Sequence, residues 1–114
     1  MDKEEIEMRY SDMIIGRHGD AISGKVMDKS FDISSVFGNI AVKTENIIWI
    51  HFMNLPQFKQ DEIWLTNDDR LTGKIQQDVI LFELEDGTQR EISRDAIHTI
   101  IINQFLSKRG KKLF

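Results

Sequence analysis

Three histidines, His18, His51 and His98, are the side chains best suited to hold a metal or move a proton. No two of them have the i, i+2 or i, i+4 spacing that brings two ring nitrogens to one ion. The chain has no cysteine, so it can form neither thiolate sites nor disulfides. None of its serines sits in a Gly-x-Ser-x-Gly elbow. No Walker or Rossmann glycine pattern and no EF-hand spacing occurs. The carboxylates Asp12, Asp20, Asp61, Asp68, Asp69, Asp86 and Asp95 fall near turns and strand starts, where they are expected to bond local backbone. These types and spacings point to no catalytic residue, no metal and no cofactor.

The elements that carry these residues are duplicated. Asp20-Ala21-Ile22-Ser23-Gly24-Lys25-Val26 and Asp69-Arg70-Leu71-Thr72-Gly73-Lys74-Ile75 follow one rule. The match extends to Asp12-Met13-Ile14 against Asp61-Glu62-Ile63, and to Ile47-x-x-Ile50 against Ile97-x-x-Ile100. Apolar residues alternate between turn signals such as Asp86-Gly87, the pattern of short strands in a small sandwich or barrel. Gly24 and Gly73 lie within strands, where glycine permits the sharp bend that a small barrel needs. The expected organisation is a lead-in over 1–10, repeat one over 11–52, a linker over 53–59 with the single proline, Pro56, repeat two over 60–102, and a basic tail over 103–114.

Each repeat, at roughly 42–45 residues, is near the lower limit for folding alone without disulfides or metal. The repeats must bury surface against each other or against other chains. Net charge is −4, against a role that needs a basic field for phosphate backbones. The longest apolar run, Ile47-Ile48-Trp49-Ile50, is too short to span a bilayer. No membrane role is expected. With no cysteine and an acidic start, the expected compartment is the cytoplasm.

The strand order, the Gly-containing bent strand and the closing Ile-x-x-Ile strand together resemble the Sm-like family. Arg70-Leu71-Thr72-Gly73-Lys74-Ile75 and Asp95-Ala96-Ile97-His98-Thr99-Ile100 are similar to the two signature stretches of its bacterial RNA-chaperone branch. Gly38-Asn39-Ile40-Ala41-Val42 and Ile47-Ile48-Trp49-Ile50 repeat the skeleton. The resemblance implies two tandem Sm-like (SH3-like) small barrels of five strongly bent antiparallel strands, which pair edge strands into rings. In that branch a Lys-His pair helps hold the nucleotide. Here those positions are Arg94 and Asp95, and their first-repeat equivalents are read as Glu45 and Asn46, so the RNA-binding residues do not carry over.

The expected function is that of a non-enzymatic, self-associating scaffold, with three chains supplying six units if a ring forms. Outward-facing Trp49, Trp64 and Ile47 are the interaction candidates. RNA binding is the disfavoured alternative; it would use Lys25, Lys74, Arg94, Lys108 and Arg109. A single closed barrel holding a small apolar ligand is a further alternative.

Overall fold

The computed structural model describes residues 10–53 and 60–103. Most of the lead-in, most of the linker with Pro56, and most of the tail with Lys108 and Arg109 lie outside the described residues. The described chain is all-β: β1 Asp12–Gly16, β2 Ala21–Val26, β3 Ser30–Ser35, β4 Gly38–Lys43, β5 Ile47–His51, β6 Asp61–Leu65, β7 Arg70–Ile75, β8 Val79–Leu84, β9 Gln89–Ser93 and β10 Ile97–Ile101. Short 3-10 turns, Thr44–Asn46 and Arg94–Ala96, precede β5 and β10.

All ten strands join one curled antiparallel sheet in the order β4-β3-β7-β6-β5-β10-β1-β2-β8-β9. Exchanging each strand for its repeat counterpart (β1 for β6, β2 for β7, and so on) reverses this order. The sheet therefore has an internal two-fold relation centred on the β5·β10 pair. The repeats do not form separate blocks. The β6–β7 hairpin of the second repeat lies between β5 and β3 of the first, and β1–β2 lies between β10 and β8. Each half of the sheet is completed by a hairpin from the other repeat.

The hairpins follow from their turn residues. Gly16 N–H donates to the Asp20 carbonyl and Gly19 N–H to the Gly16 carbonyl; Leu65, Asp69 and Asp68 repeat this geometry. Gly19 and its counterpart Asp68 both adopt positive φ, +88° and +71°. Aspartate tolerates this better than most residues because its short polar side chain can bond locally.

The apolar positions of both repeats meet in one core, including Ile14, Phe31, Ile50, Phe52, Ile63, Phe82 and Ile100. Small repeats thereby share a hydrophobic interior that neither could build alone. Gly24 and Gly73 stand at the seams. A β-carbon on Gly24 would lie 2.3 Å from the Glu83 carbonyl oxygen, and one on Gly73 2.4 Å from that of Ser34. The glycines thus admit close approach of a strand from the other repeat, in addition to any bend.

Two sequence expectations are corrected here. Ile47 is 1% exposed and belongs to the core. The register shifts between Ile47 and Trp49, so Ile47 and Ile50 both face inward, which strict alternation does not foresee. The two 3-10 turns also align Arg94 with Thr44 and Asp95 with Glu45, one residue away from the pairing read from sequence.

Candidate interaction surfaces

The two edges of the sheet are pseudo-equivalent in place and unlike in chemistry. β9 carries Gln89, Arg90 and Glu91 on its exposed surface. Charged residues on an edge discourage pairing with a further strand. β4 reads Gly-Asn-Ile-Ala-Val-Lys, with a single charge at its end. It follows a two-residue turn, Val36-Phe37, whose side chains are 83% and 90% exposed. These are the most exposed large apolar groups among the described residues. A groove of about 580 Å³ lies at the other end of β4, walled by Ile40, Leu65 and Leu71 and bordered by Lys43 and Asn67.

A second surface crosses the middle strands. Trp49 and Trp64 stack across β5·β6, with ring centroids 5.4 Å apart and planes 11° apart. Since β5 and β6 come from different repeats, this stack is an inter-repeat contact. The Trp64 indole N–H donates to Glu62 Oε1 at 2.6 Å, and the Arg70 guanidinium lies 5.5 Å from the Trp64 ring centroid. His51 packs edge-on against Trp49 at 4.1 Å. Its Nδ1 is 2.9 Å from Thr99 Oγ1, which is 2.8 Å from His98 Nδ1. Burial is the main cause lowering the His51 pKa below the ordinary imidazole value; Glu62 opposes it and His98 adds to it.

The third feature is a pair of buried carboxylates in matching places. Asp12 accepts hydrogen bonds from Val26 N–H at 2.8 Å and Asn103 N–H at 2.8 Å. Asp61 accepts from Ile75 N–H at 2.9 Å and Met53 N–H at 3.0 Å. Each carboxylate ties the start of one hairpin strand to the end of the next and to the segment after β10 or β5. The expectation of local turn chemistry fails for these two, because their partners are 14 and 91 residues away for Asp12, and 14 and 8 for Asp61. The signal was present in the sequence: each Asp stands twelve residues before its repeated glycine. Local turn bonding does hold for Asp86, whose Oδ1 accepts from Thr88 N–H at 2.8 Å.

The described cationic candidates, Lys25, Lys74 and Arg94, are not brought together. Lys25 and Lys74 are exposed on β2 and β7, with β6, β5, β10 and β1 between them. Arg94 turns inward. Its Nη2 is 2.7 Å from Asp61 Oδ2, its Nη1 donates to the Ile75 carbonyl, and its guanidinium lies 5.1 Å from the Phe52 ring centroid. Among the described residues no group of three or more His, Asp or Glu is placed to hold a metal, and no helix is long and apolar enough to cross a membrane.

Comparison with protein-family models, with curated proteins and with solved structures finds no match to this chain.

Proposed function

We propose that this chain is a non-enzymatic interaction module of Sm-like type that associates with a second copy of itself through the β4 edge. The observation that carries this reading is the contrast between the two edges: β9 carries two adjacent charged side chains, Arg90 and Glu91, whereas β4 carries a single one, Lys43 at its end, and begins at the exposed Val36-Phe37 tip.

The tip and the groove, whose lining mixes Ile40, Leu65 and Leu71 with Lys43, Glu45 and Asn67, lie at opposite ends of the same strand. When two β4 strands pair antiparallel about a two-fold axis, each tip meets the other chain's groove. A self-complementary patch of this kind is what an isologous dimer requires. A head-to-tail ring would instead set β4 against the charged β9 of a neighbour, which edge chemistry disfavours. The Sm-like part of the reading is supported by the five-strand succession in each half, β5-β6-β7-β3-β4, with a 3-10 turn before the closing strand.

Hydrogen exchange at high and low protein concentration tests the edge. Amides of β4 should gain protection as concentration rises, while those of β9 stay unchanged. Equal behaviour at both edges would remove the reason for choosing β4.

A further inference from the structure

The internal two-fold relation places Asp12 where Asp61 stands, Val26 where Ile75 stands and Asn103 where Met53 stands. The two sites differ in one respect. Over Asp61 the chain supplies its own guanidinium, Arg94, from the 3-10 turn before β10. The corresponding turn before β5 begins with Thr44, whose hydroxyl is directed to the Asp28 carbonyl at 2.6 Å. Threonine does not reach the carboxylate as arginine does, and a cleft of about 790 Å³ opens between Asp12 and Thr44.

Three carboxylates, Asp12, Asp28 and Glu45, line this cleft. Lys25, Lys29 and Lys43, all exposed, also line it. A simple cation would meet those lysines as like charges. A molecule that carries both a cation and a carboxylate would find partners of both signs in this lining. Burial raises the Asp12 pKa above the ordinary carboxylate value, against the two backbone N–H groups and Lys25, so a carboxylate here gains from a cation of matching geometry.

We propose that the Asp12 cleft binds a guanidino acid of the free-arginine kind, whose guanidinium pairs with Asp12 as Arg94 pairs with Asp61 and whose carboxylate is held by the lysines. This site is independent of the β4 edge, so its test does not depend on self-association.

L-Arginine is titrated into the full chain while the amide resonances of Val26 and Asn103, the two donors to Asp12, are followed by NMR. L-Citrulline, the neutral isostere, and agmatine, which lacks the carboxylate, serve as comparison ligands. Saturable shifts are expected with arginine, at least tenfold weaker binding with agmatine, and none with citrulline. Asp12→Asn should abolish the response. Thr44→Arg, which supplies the guanidinium from within the chain, should abolish it too and move the Val26 resonance without added ligand. Arginine binding no tighter than citrulline, or undiminished in Thr44→Arg, overturns the proposal.

Discussion

Gly24 of the first repeat lies so close to Glu83 of the second that a β-carbon would stand 2.3 Å from the Glu83 carbonyl oxygen. The repeated glycine is thus a contact between repeats. At Gly73 the same crowding involves the Ser34 carbonyl and the Ile33 side chain. Backbone cannot yield as a flexible side chain does, so either β8 must withdraw from β2 or the strand pair must open.

Gly24→Ala and Gly73→Ala should each lower stability by about 3 kcal/mol, the upper part of the usual range for overpacking. Urea denaturation measures this. A loss under about 0.5 kcal/mol, the level of an ordinary surface change, would mean that the seam is looser than the contact distances indicate.

Arg94→Ala removes the cation from Asp61, whose side chain is 1% exposed, and leaves it with two backbone N–H donors. Breaking a buried pair from one side costs about 3–5 kcal/mol in general. Asp12 has two backbone donors of the same kind and, among the described residues, no such arginine, so the expected cost lies near the lower end, about 3 kcal/mol. A neutral result would show that the two backbone bonds alone satisfy this carboxylate.

His51 is held below its ordinary value of 6.5 mainly by burial, with Glu62 opposing and His98 adding. The fold therefore favours the neutral ring. The associated stability is full above about 6.5 and is lost as pH falls through the lowered folded value. Between pH 7.5 and 5, roughly, the urea midpoint of the unmodified chain should fall further than that of His51→Gln. Equal falls would remove His51 as the source.

The fold class was legible because period-two alternation and turn residues are local signals. Duplication was legible because the glycine motif recurs almost unchanged. Interleaving of the repeats was not: Gly24 against Glu83 and Gly73 against Ser34 are long-range pairings, and short-range pattern carries no partner identity. Ile47 escaped because a register shift breaks the alternation that places a side chain inside or outside. Trp49 and Trp64 could be assigned to an outer face, but their stacking on each other depends on β5 pairing with β6. The buried roles of Asp12 and Asp61 needed the segments after β10 and β5 to return beside β1 and β6, which only the folded sheet shows.

Self-association through β4 is the central claim, and the mass in solution tests it most directly. Burying two Phe37 side chains at about 2 kcal/mol each would stabilise a dimer on the order of a thousandfold in Kd. Light scattering at tens of micromolar should give the unmodified chain twice its 13.3 kDa monomer mass, and Phe37→Asp the monomer mass. A monomer for the unmodified chain, or an unchanged dimer for Phe37→Asp, would contradict the account.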